Sequence, residues 1–137
     1  MPAEAAGEDA AAAEAFVRFY WEMVNYAEQT GDIDGLSALG LESCAACVGG
    51  AEDIERIYGA GGTVTGGLVE VTSASSTPYR SGPTAGFAVI VDVEIAPQTV
   101  AEPGKRDQTY AGGPNQFRFI VQREPGGWIV GRWDAMP

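Results

Sequence analysis

The sequence predicts an α+β fold in which N-terminal helices pack on an antiparallel sheet. Apolar residues recur with a helical period before Gly59, and they alternate with the period of a strand after Thr63. A glycine-rich run, residues 59–62, separates the two halves. Helices followed by successive strands favour separate layers over alternating β-α-β units. With 137 residues, 45% of them hydrophobic, the chain is long enough to form one domain with its own core.

The first helix is expected between an N-cap at Asp9 and a terminating glycine, Gly31. Phe16, Tyr20 and Met23 recur at the spacing of one helical face, so this face should lie under the sheet. The opposite face is expected to be polar and carries Arg18, Glu22 and Asn25.

Two further helices are predicted before the glycine run. Residues 32–39 favour a short helix, and a third helix is expected from an N-cap at Ser43 to Tyr58. Gly49 and Gly50 weaken the third helix by roughly 1 kcal/mol each relative to alanine. Its apolar face contains Cys47, Ala51, Ile54 and Tyr58.

The strongest strand signal spans residues 87–95. Its inward set alternates strictly and consists of Phe87, Val89, Val91, Val93 and Ile95. The same alternation places Asp92 and Glu94 outside. Before it, residues 64–71 predict a strand with a bulge at Gly66 and Gly67, and residues 73–83 predict a polar loop.

The C-terminal part predicts two more strands after a long polar connection, residues 97–114. Phe117, Phe119 and Val121 alternate in the first of these strands. The second follows a Gly-Gly turn, and strict alternation places Trp128 and Trp133 on its opposite faces.

The chain has no histidine, and its two cysteines are Cys44 and Cys47. A C-x-x-C pair is typical of a structural disulfide, a redox centre or half of a zinc site. Zinc usually takes four Cys and His ligands, and this sequence cannot complete such a set. Histidine-based triads are excluded as well. We therefore expect no metal and no cofactor.

Negative charge is concentrated in the helical half. The chain carries a formal net charge of −11, and only Arg18 and Arg56 offset the acidic residues before Gly59. Nucleic acids and anionic lipids bind by neutralising phosphates with Lys and Arg. This balance argues against a nucleic-acid partner. We also expect no transmembrane segment, because no run of about 18 apolar residues occurs.

Several strings resemble a family of actinobacterial lipoproteins of unknown function. They are Ala15-Phe-Val-Arg-Phe-Tyr-Trp-Glu-Met-Val-Asn-Tyr26, Thr30-Gly-Asp32, Cys44-x-x-Cys47, Ile57-Tyr58 and Gly126-Gly-Trp-Ile-Val130. The resemblance covers about residues 12–134. It implies an NTF2-like (SnoaL-like) cone, in which a curved antiparallel sheet wraps a long N-terminal helix. It supplies no known activity.

The resemblance also implies export, lipid attachment through an upstream cysteine, and a flexible tether. We accordingly expect residues 1–11 to be a tether or the end of an expressed fragment, and residues 12–135 to form a single NTF2-like domain. Export favours a disulfide between Cys44 and Cys47. A redox role remains the alternative, although the acidic neighbours Glu42, Glu52 and Asp53 disfavour a thiolate.

These observations predict a noncatalytic, extracytoplasmic domain that binds or scaffolds in the cell envelope. The expected partner is an envelope protein or a small apolar ligand, the membrane is contacted through the lipid anchor alone, and a homodimer through the sheet is a further expectation. The candidate pocket or core lining is Phe16, Tyr20, Met23, Tyr58, Phe87, Val89, Val91 and Phe119.

The alternative is an isomerase- or hydratase-like enzyme of the cone fold that uses a cavity carboxylate. The candidate acids are Asp92 and Asp134, and Tyr20 or Tyr58 would donate a hydrogen bond. This hypothesis requires an inward-facing acid in a sizeable cavity.

Overall fold

A computed structural model describes residues 1–137, except for the side chain of Ser81. A short 3-10 helix covers Ala3–Ala5. The helices are α1 (Ala10–Thr30), α2 (Asp34–Ser37) and α3 (Ala45–Gly59). The strands are β1 (Thr63–Gly66), β2 (Val69–Ser81), β3 (Thr84–Ile95), β4 (Gln98–Ala101), β5 (Gln108–Tyr110), β6 (Gly113–Glu124) and β7 (Gly127–Ala135). Among the residues described, no helix combines the length and apolar character that a membrane crossing requires.

The strands form two antiparallel sheets on which the helices pack. The main sheet has the order β2-β3-β6-β7, and a smaller sheet has the order β1-β4-β5. The α+β class and the NTF2-like cone predicted from the sequence are confirmed.

Helix α1 begins and ends where its sequence signals predict. The side chain of Asp9 accepts a hydrogen bond of 2.9 Å from the backbone N–H of Ala12, which satisfies an otherwise free donor at the helix start. Gly31 ends the helix in the left-handed region, with φ of 79°.

The core forms where the apolar face of α1 meets the concave face of the main sheet. Tyr20 packs against Phe119 with ring centroids 5.4 Å apart. Trp21 packs against Phe117 at 5.1 Å, and the Phe119 ring stacks on Trp133 at 5.7 Å. Aromatic pairs at such distances are worth roughly 0.5–1.5 kcal/mol each beyond the area that they bury. This cluster fixes α1 on the sheet.

The prediction of a loop over residues 73–83 is wrong. Strand β2 continues through Ser81 and pairs with β3 along its whole length, with one irregularity between Val71 and Ser73. The segment carries Ser and Thr on both faces because it is an outer strand, so it lacks the apolar alternation of a buried one. The predicted strand over residues 64–71 is also divided, since β1 and β2 belong to different sheets.

A bulge in β7 overturns the predicted placement of its two tryptophans. Ile120 pairs with Arg132, whereas the next residue of β6, Val121, pairs with Val130. One extra residue in β7 shifts the alternation of all that follows. Trp133 therefore faces the core, as Trp128 does.

The N-terminal segment packs against the domain, in contrast to the flexible tether expected for residues 1–11. Ala5 is 1% exposed. The backbone oxygen of Gly7 accepts a hydrogen bond of 3.1 Å from the indole N–H of Trp128, and Arg123 donates one of 3.2 Å to the oxygen of Ala6. Small alanine side chains let this segment approach the main sheet closely.

Asn25 joins α1 to the start of β2, although the helical period predicted it on a polar face. Its side-chain N–H donates to the oxygen of Val69, and its side-chain oxygen accepts from the N–H of Val69, both at 2.9 Å. The amide thus substitutes for a neighbouring strand at the outer edge of the sheet.

Replacing Asn25 with alanine should lower the free energy of unfolding by about 1–3 kcal/mol, because both hydrogen bonds of Val69 are lost. Urea denaturation followed by circular dichroism measures this change. The control is Gln29→Ala on the exposed part of the same helix, which should change stability by no more than about 0.5 kcal/mol. Equal effects of the two variants would contradict the role of Asn25.

Candidate functional site

A cavity of about 460 Å³ lies between α1, α3 and the smaller sheet. Its walls include buried apolar residues from all three parts: Tyr20, Trp21, Leu36, Cys47, Ala51, Ile54 and Val100. Its exposed rim carries charged and polar residues: Asp53, Arg56, Lys105, Gln108 and Tyr110. An apolar interior with few polar groups is typical of small-molecule sites.

Helix α1 supplies one side of the cavity through residues one turn apart. Tyr20, Val24 and Glu28 follow each other at intervals of four, so they share a face of the helix. Tyr20 also belongs to the core, and Glu28 lies towards the C-terminal end of the helix. The face that packs in the core therefore continues into the cavity and ends in a carboxyl group.

Glu28 is a partly buried acid in the wall of this cavity, which Glu102 also lines. One of its carboxyl oxygens accepts a hydrogen bond of 3.2 Å from the side-chain amide of Gln98. Burial raises the pKa of Glu28 from 4.5 to about 7, and the hydrogen bond from Gln98 opposes that rise. The carboxyl group therefore exchanges its proton near neutral pH, as a binding or catalytic acid needs to do.

Tyr58 fixes the backbone that carries Glu28. Its hydroxyl donates a hydrogen bond of 2.5 Å to the backbone oxygen of Glu28 and accepts one of 3.3 Å from the N–H of Val64. One side chain thus joins α1, α3 and the smaller sheet. These are the three parts that enclose the cavity.

Two aromatic side chains of the cavity wall have perturbed polar groups. Burial raises the pKa of Tyr20, and the neighbouring Trp133 side chain acts in the opposite direction. The indole N–H of Trp133 is buried and forms no hydrogen bond among the residues described. The indole N–H of Trp21 is also buried and has no partner among the residues described.

A disulfide between Cys44 and Cys47 closes the first turn of α3. The Cys44 sulfur accepts a hydrogen bond of 3.2 Å from the Cys47 N–H, so the helix starts from Cys44 and not from Ser43 as predicted. A Cβ at Gly40 would lie 2.7 Å from the Cys47 sulfur, which leaves room for glycine alone. Since Cys47 lines the cavity, the disulfide supports one of its walls.

The candidate lining from the sequence divides between core and cavity. Phe16, Val89, Val91 and Phe119 lie in the core, and Tyr20 lies in both places. Phe87 packs against Trp128 with ring centroids 6.0 Å apart. Met23 is partly buried against the core, and the end of its side chain lies against Gly35 of α2.

Neither acid proposed from the sequence for catalysis lies in the cavity. Asp92 is exposed, as strand alternation predicted, and hydrogen bonds from Ser73 and Gln116, at 2.6 Å and 2.9 Å, lower its pKa. Asp134 is also exposed and pairs with Arg132 at 2.9 Å.

Glu28 is the residue that sequence reasoning missed. Its signal was present, since Glu28 continues the spacing of Tyr20 and Val24 along the helix. An acid at the end of an apolar helical face is usually exposed to solvent. The residues near Glu28 in the sequence do not predict that the smaller sheet covers it.

A family model described as "Family of unknown function (DUF6318)" matches residues 1–133. The chain belongs to this family. No curated protein sequence matches this DUF6318 member significantly.

Solved structures resemble this DUF6318 member in fold at low sequence identity. The intermembrane space region of the chloroplast protein ARC6 matches with a TM-score of 0.63 and 12% identity, over 95% of this chain and 98% of that one. The benzoate 1,2-dioxygenase beta subunit of Burkholderia mallei matches with a TM-score of 0.57 and 9% identity, over 94% of this chain and 90% of that one. A protein of Novosphingobium aromaticivorans, named as an aromatic ring hydroxylase, matches with a TM-score of 0.55 and 18% identity. The match covers 91% of this chain and 90% of that one.

Replacing Glu28 with glutamine should stabilise the protein at pH 8 more than at pH 5. The folded pKa of about 7 exceeds the unfolded value, so the folded state holds the proton more tightly and loses stability as pH rises through about 7. Glutamine does not ionise, so the advantage of the variant should grow by about 1–3 kcal/mol between the two pH values.

Urea denaturation at both pH values measures this difference. The control is Glu22→Gln, which makes the same charge change on the exposed face of α1. An advantage of Glu28→Gln that does not change with pH would show that Glu28 keeps an ordinary pKa.

Proposed function

We propose that this domain binds a small, largely apolar ligand in the cavity between α1, α3 and the smaller sheet. The observation that supports binding is a cavity of about 460 Å³ with buried apolar walls and the partly buried carboxyl group of Glu28. The cavity opens to solvent at its rim, so an apolar ligand that entered it would take the exposed apolar parts of its walls out of water.

We further propose that the domain works outside the cytoplasm, as the noncatalytic part of an actinobacterial lipoprotein held at the membrane by a lipid. The disulfide supports an oxidising compartment, because such bonds are rare where thiols are kept reduced. Lipid attachment rests on the resemblance of strings such as Cys44-x-x-Cys47. Contact with an envelope protein or with a second copy of the chain would use the outer face of the main sheet.

A second candidate function is an isomerase- or hydratase-like enzyme in which Glu28 acts as the base. The observation that favours it is the pKa of about 7, which suits a carboxylate that takes and returns a proton at neutral pH. The base would be Glu28, in place of Asp92 or Asp134. Glu28-dependent exchange of the α-protons of 2-indanone with D₂O would favour this enzyme over the binding domain.

The binding proposal predicts that the neutral fluorescent probe N-phenyl-1-naphthylamine binds in the cavity. Ala51 is 5% exposed and lines the cavity from α3. Ala51→Leu should weaken probe binding about tenfold or more, since added methylene groups fill the space that the probe needs. A fluorescence titration measures the affinity.

The control is Ala45→Leu, which adds the same atoms at an exposed position of the same helix and should leave the affinity unchanged. Circular dichroism of both variants checks that α3 is intact. If both variants bind the probe like the parent protein, its site lies elsewhere and the binding proposal fails.

The proposed compartment predicts the redox state of the cysteines in cells. The full-length protein, produced in its native host and treated with a permeable alkylating reagent before lysis, should carry no label on Cys44 or Cys47 and should fractionate with membranes. The same domain produced in a reducing cytoplasm is the control and should be labelled on both thiols. Mass spectrometry reads both samples, and two labelled cysteines in the native host would contradict export.

A further inference from the structure

We propose that the preferred ligand of the cavity is a small organic cation, an amine or quaternary ammonium compound with an apolar body, paired with the carboxylate of Glu28. This inference rests on the proposed binding function and names the chemical class of its ligand. The geometry that carries it is a partly buried carboxyl group in a cavity that also has aromatic walls, with no cation paired to it among the described residues.

The aromatic walls suit the charge of such a ligand as well as its apolar body. Tyr20, Trp21 and Trp133 line the interior, and Tyr110 lies at the rim. Aromatic rings attract organic cations through their electron-rich faces, and desolvated sites gain most from this attraction. A cavity that contains both a carboxylate and aromatic walls suits ammonium groups.

The other charges around the cavity do not neutralise Glu28. On the connection between β4 and β5, Glu102 pairs with Lys105 at 3.3 Å, and it also pairs with Arg56 of α3 at 3.5 Å. Arg56 further pairs with Asp53 at 3.6 Å. Among the described residues, both rim cations thus have acidic partners, while Glu28 forms no ion pair.

The uncharged groups around Glu28 leave its charge uncompensated too. Gln98 donates a hydrogen bond to its carboxyl group, and Tyr58 donates to its backbone oxygen. Tyr20 and Tyr110 complete the titratable groups of the lining, and a phenol side chain cannot supply a positive charge. An incoming cation would therefore supply the missing counter-charge, and the net charge of −11 would attract it from solution.

The proton on Glu28 separates this ligand class from neutral ones. A cation pairs with the ionised carboxylate, so binding should release the proton and strengthen as pH rises through about 7. A neutral ligand with a carbonyl or hydroxyl acceptor uses the protonated carboxyl as a donor. Its binding should weaken over the same range.

The test is isothermal titration calorimetry with benzyltrimethylammonium, whose charge does not change with pH, and with the neutral near-isostere 2-methyl-1-phenylpropan-2-ol. Affinity for the cation should rise about tenfold from pH 6 to pH 8, in proportion to the ionised fraction of Glu28. The cation should also bind more tightly than the alcohol at pH 8.

Variants assign the effect to one carboxyl group. Glu28→Gln should weaken cation binding at pH 8 about tenfold and remove its pH dependence, because an amide carries no charge. Glu22→Gln makes the same charge change on the exposed face of α1 and should preserve both the affinity for the cation and its pH dependence. Circular dichroism at both pH values establishes that each variant is folded.

The outcomes separate this inference from the function on which it rests. Equal or tighter binding of the alcohol, or cation binding that survives Glu28→Gln, overturns the cation proposal while ligand binding in the cavity stands. No binding of either compound, together with no binding of N-phenyl-1-naphthylamine, overturns both.

Discussion

The packing of the α1 aromatic face against β6 and β7 is the interaction on which the rest of the structure depends. The Trp21 ring contacts three others, with centroids 5.1 Å from Phe117, 5.8 Å from Phe119 and 5.7 Å from Trp133. These contacts fix the axis and rotation of α1. With the axis and rotation of α1 fixed, the same helical face extends past the aromatic cluster to Glu28. Other elements must cover this extension. α3 and the smaller sheet provide that cover, and the cavity is the space that they leave unfilled.

Contacts at the C-terminal end of α1 hold the Glu28 carboxyl group partly out of water. Gly31 turns the chain in the left-handed region, and a Cβ there would lie 2.6 Å from the Tyr58 ring. This close approach lets the Tyr58 hydroxyl reach the backbone oxygen of Glu28. Holding an acid at a pKa of about 7 destabilises the fold at neutral pH, and features of this kind persist where a site uses them. The aromatic core supplies the stability that offsets this cost.

The sequence predicts elements well where local signals agree, and it fails where distant parts of the chain decide. The bounds of α1 and the inward set of β3 follow from capping residues and strict alternation. The extent of β2 depends on its pairing with β3. A Ser- and Thr-rich segment gives no apolar alternation from which this pairing could be predicted. The orientation of Trp133 depends on one extra residue in β7. Glu28 could not be identified from α1 alone, because distant residues bury it. Gln98, which donates to its carboxyl group, lies 70 positions later in the chain.

The disulfide supports the environment of the acid Glu28, although the two lie on different helices. α3 carries Gly49 and Gly50 in its first half, so its own helical propensity is low. The Cys44–Cys47 bond closes the turn before these glycines, and Gly40 lets that turn lie against β7, where the N–H of Leu41 donates a hydrogen bond of 2.9 Å to Val130. Loss of the bond would remove this constraint on the α3 wall, and a displaced wall would expose Glu28 to more water. Hydration would return the pKa of Glu28 towards that of an ordinary acid, because burial is the cause of its rise. An intact disulfide therefore supports the raised pKa of Glu28 as well as the stability of α3.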